Sequence, residues 1–481
     1  MASRHVHHPG TFVRRLLVGV LATAAIVCLV LAFRPADSEE SVDAPALATP
    51  LWSARRAPQA IVDGVGALRL QSALDAEVAE FDACFLVEAN GNVVASANPD
   101  TPLVPASTVK VLTAGAALGQ LGPDYTFTTS ALASAAPADG TVDNLWLVGG
   151  GDPVLSTADY AAYLASDGRT VHRVTTSLEV LADGIVNAGV TNVPGGVLAD
   201  DSRYDTQRYL PAWGTNYRTD EVGPLGALMV NNGWANYDGP PREPSDDPAV
   251  HAADVLSGLL EERGVTVGAP AGREPAPEGA VSVATVTSPP LRDIVGGMLS
   301  ASDAVAAELL AKELAVNAGQ EGSTANGVAA ETAVLAELGV PIEGVVLGDA
   351  SGLDRNDQVT CSALLATIDL AGRDTRLAGL LDGLSVAGEH GILHDRLVGT
   401  PLDGRLRAKT GFLSVSTALA GVVDVTRPVE FAFIGNTGSI SEGTSYETRE
   451  GVAEVIATFP EAPPAEVLVP APAPPAAQAP K

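Results

Sequence analysis

Apolar residues return at helical spacing across residues 67–80 (Leu68, Leu70, Ala73, Leu74 and Val78), which predicts a helix. The period then changes. Residues 83–88 and 93–96 are β-rich runs on either side of Asn90-Gly91, a dipeptide suited to a tight hairpin turn. Pro105 ends the extended stretch, and a helix is expected from Ser107 to about Gly119. Over 129–282 short β-prone runs such as 145–148 alternate with Gly, Pro and Asp at 149–153 and 200–205, and 177–188 and 251–263 predict two helices. This stretch reads as an inserted, β-rich module. Residues 291–314 are helical by spacing, with an interruption expected near Gly296-Gly297. Residues 327–338, 362–372 and 443–458 predict further helices, and the dense apolar runs 418–425 and 429–434 predict buried central strands.

The two ends have a different texture. Residues 16–33 form an uncharged, almost wholly apolar run, preceded by Arg14-Arg15 and followed by Arg34-Pro35. As a helix it would span roughly 27 Å, enough to cross a bilayer. The basic flank predicts residues 1–15 in the cytoplasm and the body outside. Ala46-Leu47-Ala48 lies far beyond the run for signal cleavage, so a retained single-pass membrane anchor is favoured over a secreted protein. Residues 34–65 read as a linker, and 459–481 as a disordered Pro/Ala-rich tail.

Composition narrows the classes. A chain of 481 residues can bury more than one core. A formal net charge of −30 argues against nucleic acid as a partner and for a solvated acidic surface. Cys84 and Cys361 could form one bridge in an exported body or remain two separate buried thiols. His390 and His394 are four apart but flanked by glycine, so no metal is expected there. Gly149-Gly150-Gly151 lacks the Gly-Lys-Ser/Thr of a phosphate loop, and no cofactor is implied. Asp200-Asp201 reads as a solvated turn.

Lysine is scarce. There are only four, and two of them carry context: Lys110 closes Ser107-Thr108-Val109-Lys110, and Lys409 opens Lys409-Thr410-Gly411. On a helix, Ser107 and Lys110 share a face, which brings a hydroxyl beside an amine. Serine needs such a base to become a nucleophile. A buried lysine can serve if desolvation and a second cation, here Lys409, lower its pKa. Lys409 and Thr410 could hold a substrate carboxylate, while Gly411 admits a substrate backbone closely.

Ser-x-x-Lys followed far downstream by Lys-Thr-Gly resembles the signature of penicillin-interacting serine enzymes. The wider match resembles the class C low-molecular-mass penicillin-binding proteins, the D-alanyl-D-alanine carboxypeptidase/endopeptidase family. It extends through residues 105–114, 149–153, 230–233, 349–355 and 386–391, and covers roughly 66–458. The resemblance implies a mixed α/β transpeptidase fold of the β-lactamase-like type, with a central antiparallel sheet flanked by helices. On this reading 66–128 and 283–458 form the catalytic domain around the 129–282 module. It also implies Ser107 as nucleophile, Lys110 as base and Ser302 as proton relay. Lys409, Thr410, Gly411 and Phe412 become substrate-binding positions, with the backbone N–H groups of Ser107 and Phe412 as an oxyanion hole. Peptidoglycan stem peptides are the implied substrates and β-lactams the implied inhibitors.

Two departures stand out. The family's Ser-x-Asn motif is Ser302-Asp303-Ala304 here, and Ala304 has no amide to hold the lysine or the substrate carbonyl. Phe412 stands where a threonine hydroxyl commonly helps bind the terminal carboxylate. Losing one such donor typically lowers rates ~10²–10³-fold. The leading expectation is a serine D-Ala-D-Ala carboxypeptidase that also has endopeptidase scope. The alternative is a catalytically weakened protein of the same fold that binds wall peptides or scaffolds wall enzymes. A β-lactamase is disfavoured by the membrane segment and the long insertion.

Overall fold

In the computed structural model, which describes residues 59–166 and 173–460, the chain opens with helix α1 (Gln59–Glu77) and the hairpin of β1 (Asp82–Ala89) and β2 (Asn92–Ala97). Asn90 and Gly91 sit at φ 52° and 71°, the left-handed pair that this turn requires. Helix α2 (Lys110–Leu121) follows, then β3 (Thr128–Ala133), β4 (Leu145–Val148), α3 (Leu178–Asn187), β5 (Val197–Asp200), α4 (Pro248–Glu262), β6 (Gly272–Arg273) and β7 (Val281–Thr287). Next come α5 (Leu291–Ala301), α6 (Ala304–Asn317), α7 (Thr324–Glu337) and α8 (Cys361–Ala371). The chain continues through β8 (Ser385–Val386), β9 (Leu406–Leu413), β10 (Ser416–Asp424) and β11 (Pro428–Asn436) to α9 (Glu442–Ala457).

The main sheet has the order β8-β9-β10-β11-β1-β2 and is antiparallel throughout. Side chains alternate across it with period two. Phe85, Phe431, Phe433 and Leu419 pack with Leu70, Leu74, Val452 and Ile456 of α1 and α9. Cys84, Ala418, Ala420, Ala432 and Ile434 face the other way, toward α2, α5, α6 and α8. The small residues on that face admit α2 closely, and every side chain from Lys110 to Leu118 is buried. A second sheet, in the order β6-β5-β4-β3-β7, is parallel between β4, β5 and β6 and antiparallel elsewhere. Leu181 and Ile185 of α3 and Leu256 and Leu260 of α4 cover it. Its entering and leaving strands pair, with Thr128 opposite Thr287.

Several expectations change. Helix α1 begins at Gln59, inside the stretch read as linker, and Val62 is already buried. Strand β7 runs to Thr287, so residues 283–287 belong to the second sheet. Gly296-Gly297 does not interrupt a helix. It lies within α5, where a Cβ on the facing Gly383 would come within 2.6 Å of the Gly296 Cα, so close packing explains the glycines. The break comes instead at Ser302, in the left-handed region at φ 57°. Asp200 and Asp201 are buried rather than solvated. Asp201 pairs with Arg208 and Arg273, and Asp200 accepts from the backbone N–H groups of Ser202 and Ala276. Lys312, without evident context in sequence, is buried and paired with Asp205. Cys84 and Cys361 form a disulfide between β1 and α8. The proposed membrane segment at 16–33 lies outside the described residues. Among the described residues no helix is long and apolar enough to cross a membrane.

Candidate active site

Pro105 and the left-handed Ala106 (φ 48°) set up one 3-10 turn, Ala106–Val109, before α2 begins at Lys110. The expected α-helical start at Ser107 is therefore tighter than anticipated. In a 3-10 turn positions i and i+3 eclipse, which aligns Ser107 with Lys110 more closely than an α-turn would. Two glycines clamp this segment. A Cβ on Gly411 would lie 2.7 Å from the Pro105 carbonyl oxygen, and one on Gly352 would lie 2.1 Å from that of Ala106. Both positions need glycine because the nucleophile's backbone passes directly over them.

Lys110 Nζ donates to Ser107 Oγ at 3.0 Å and to the Ser351 carbonyl at 2.5 Å. Lys409 Nζ donates to Ser302 Oγ at 2.9 Å and to the Thr410 carbonyl at 2.8 Å. Each lysine thus holds a serine hydroxyl, Lys110 that of Ser107 and Lys409 that of Ser302. Both are fully desolvated. Burial lowers Lys110 below the usual lysine value, against Asp349, Glu221, Glu308 and Asp303, which favour its charge. Lys409 is pushed well below that value by burial and then by the Lys110 and Arg449 cations, with Glu221 opposing.

Lys409, Thr410 and Gly411 lie mid-strand in β9. Strand β8 covers only Arg407 and Ala408, so β9 is an open edge from Lys409 onward. Lys409 is paired with Ala420 and Gly411 with Ala418, which puts both on the face turned toward α2. Ser302 is brought to the site by the α5–α6 break, and Asp303 caps α6 by accepting from the Ala306 N–H at 3.1 Å. Ala304 points into an apolar cluster with Val305, Leu309, Leu353 and Trp213. Ser107, Ser302, Thr410 and Phe412 line one cleft of ≈ 930 Å³, together with Arg355, Tyr446 and Arg449. His390 and His394 flank a short 3-10 turn, Gly391–Leu393.

Sequence reasoning missed the residues that hold these groups in place. Asp349 accepts from the backbone N–H groups of Ser351, Gly352, Leu353 and Asp354 at 2.6–3.1 Å, and from Trp213 Nε1 at 2.7 Å. The turn so fixed aims the Ser351 carbonyl at Lys110. Glu308 accepts from the N–H groups of Ala350 and Ser351 at 3.0 and 2.9 Å; burial and the Asp349 charge raise its carboxyl to about 8. Asn232 Nδ2 and Arg173 Nη2 reach the Asp303 carboxylate at 3.0 and 3.3 Å. Only the Asp349–Arg355 and Val230–Gly233 landmarks hinted at these contacts. The partners come from segments far apart in sequence.

The family model described as the D-Ala-D-Ala carboxypeptidase 3 (S13) family matches residues 73–244 and 242–459. The chain belongs to this family. A carboxypeptidase of Mycobacterium tuberculosis is 34% identical over 348 residues, 70% of this chain and 72% of that protein. A D-alanyl-D-alanine carboxypeptidase of an Actinomadura species is 28% identical, covering 70% of this chain and 73% of the relative. Among solved structures, penicillin binding protein 4 from Haemophilus influenzae superposes with a TM-score of 0.66 at 20% identity, covering 80% of this chain and 98% of that one. That likeness establishes the shared penicillin-binding, β-lactamase-like fold. The chain is accordingly an enzyme of a serine peptidase family, as the motifs implied.

Proposed function

We propose that this enzyme removes the terminal D-Ala from peptidoglycan stem peptides through an acyl-enzyme on Ser107. Neutral Lys110 takes the Ser107 hydroxyl proton as Oγ attacks the carbonyl carbon of the penultimate D-Ala. The N–H groups of Ser107 and Phe412 stabilise the resulting oxyanion. Ser302, oriented by Lys409, passes the proton to the leaving amine as the C–N bond breaks. Water then attacks the ester, and Ser107 recovers its proton. Lys409 and the Thr410 hydroxyl donate toward the substrate carboxylate, while Gly411 leaves room for the substrate backbone. The observation that carries this reading is the pairing of Lys110 with Ser107 at 3.0 Å and of Lys409 with Ser302 at 2.9 Å, with both serines on one cleft. The cleft is larger than a dipeptide needs, which supports endopeptidase action on D-Ala–diamino-acid cross-links. β-Lactams acylate the same serine on this reading, and the 16–33 segment anchors the enzyme on the outer face of the cell membrane.

The binding-only alternative rests on Ala304. Part of the missing amide's role is filled, because the Ser351 carbonyl holds Lys110. The other part, a donor toward the substrate carbonyl, is not, so turnover below that of an asparagine-bearing relative is expected. The decisive experiment incubates the protein with fluorescent penicillin beside Ser107→Ala, then follows D-Ala release from a D-Ala-D-Ala peptide. Labelling and turnover in the wild type alone are expected. Equal labelling of the two proteins removes Ser107 from the mechanism, and labelling without release supports the binder.

A further inference from the structure

Arg449, on α9, has a use that the acyl-transfer steps above do not give it. Its side chain is only 5% exposed, yet it lines the substrate cleft beside Thr410 and Phe412. Its Nη1 donates to the Gly411 carbonyl at 3.1 Å, and the guanidinium lies 4.6 Å from the centre of the Tyr446 ring. Among the described residues no carboxylate oxygen comes within 4.0 Å of it; the neighbouring Glu450 pairs with Arg396 instead. Outside the two lysines that hold Ser107 and Ser302, buried Lys312 has a counter-ion, Asp205, and the partly exposed Arg203 pairs with Glu313. A desolvated charge without a counter-ion is unfavourable unless something arrives to meet it. Burial lowers the Arg449 guanidinium to about 10, so it is still charged at neutral pH.

The surrounding chemistry says what arrives. The open edge of β9 at Thr410 leads the substrate past this guanidinium. Phe412 offers no hydroxyl, so Lys409, which already donates to Ser302 and to the Thr410 carbonyl, and the Thr410 hydroxyl are the donors left for a substrate carboxylate. An arginine fork supplies two parallel, charge-assisted bonds to a carboxylate. In a chain of net charge −30, an anionic substrate also needs such a local positive group to enter.

We propose that Arg449 anchors the free α-carboxylate of the substrate's leaving residue, taking over the contact that Phe412 cannot make. The inference rests on the carboxypeptidase reading and sharpens it. Any leaving amino acid with a free α-carboxylate is accepted, and its amide is a poor substrate.

The test compares a D-Ala-D-Ala peptide with its C-terminal amide, in the full chain and in Arg449→Gln and Arg449→Lys. The expected result is a fall of about 10–100-fold in the acid-to-amide ratio of kcat/KM for Arg449→Gln, the size of one charge-assisted hydrogen-bond pair. Arg449→Lys should recover part of the ratio. A thermal melt of each variant checks folding. The same two peptides are titrated against Ser107→Ala with and without Arg449→Gln, so that binding is read without turnover. An unchanged acid-to-amide ratio in a wild type that cleaves the peptide overturns the inference and leaves the carboxypeptidase reading standing. Arg449-dependent preference for the acid in binding, with no turnover by the wild type, overturns that reading and leaves the inference standing.

Discussion

Lys110 is held between opposing influences. Burial strips its ammonium of water, while Asp349 and then Glu221 pull toward the charged form. Glu221 is exposed and lines the cleft, so it can be changed without opening the core. Removing its negative charge by Glu221→Gln takes away a force that holds the lysine proton, and Lys110 then deprotonates at lower pH. The neutral base becomes more abundant on the acid side. The ascending limb of kcat/KM, or of penicillin acylation, should therefore shift to lower pH in Glu221→Gln; a shift to higher pH or none would separate Glu221 from the base. Spacing marks Ser107, Lys110 and Lys409 in a lysine-poor chain, whereas Ser302 was reached only through the family resemblance. Arg449, Glu221 and the Ser351 carbonyl were not legible, because a cleft residue on a distant helix or a main-chain oxygen has no local pattern to announce it.

At the scale of elements, the α5–α6 break matters most. Periodicity saw one long helix and placed its weak point at the two glycines. The glycines serve close packing against Gly383, and the polar pair Ser302-Asp303 makes the break, one by adopting φ 57° and the other by capping α6. Helix and strand existence was otherwise readable, since α7 and α8 carry apolar residues at helical spacing and β10 and β11 are dense apolar runs buried on both faces. An edge strand was expected at Lys409-Thr410-Gly411, but where its open edge begins could not be read, because it depends on how short β8 is. The first position of α6 is Ala304, beside Leu353 on the cleft wall. Ala304→Asn restores an amide there at the expense of overpacking. A rise of about 100-fold in kcat/KM is expected, the lower end of what one oxyanion-type donor contributes. It should come with a loss of roughly 1–3 kcal/mol of stability, as for other enlarged core side chains. Steady-state kinetics and a denaturant melt check both; an unchanged rate would mean that Ala304 does not limit catalysis.

Across the whole molecule, the Cys84–Cys361 bridge joins positions separated by 277 residues, on either side of the second sheet. Cross-links over long loops restrict the unfolded chain most, and loss of one typically costs about 2–4 kcal/mol. Replacing both cysteines with alanine should lower the unfolding free energy by about that amount in urea titration. No change would mean that the folded halves hold together without it. The fold class was legible through family motifs, whereas the pairing of two cysteines was not, since spacing cannot distinguish a bridge from two thiols. The grip of the second sheet's segments on the catalytic helices was hidden for the same reason. Tyr204 and Arg203 bond Glu313, Asn232 bonds Asp303, and Trp213 bonds Asp349, each across a long stretch of chain.

That last bond bears on anyone who would shorten this protein. Phe127 and Ser288 are already joined by a main-chain hydrogen bond of 2.9 Å, so excising everything between them looks like a clean splice. The splice would take Trp213 with it. A buried aspartate would lose its indole donor, the turn presenting Ser351 would slacken, and the base would drift from its serine. A trimmed enzyme could keep its shape and lose its trade.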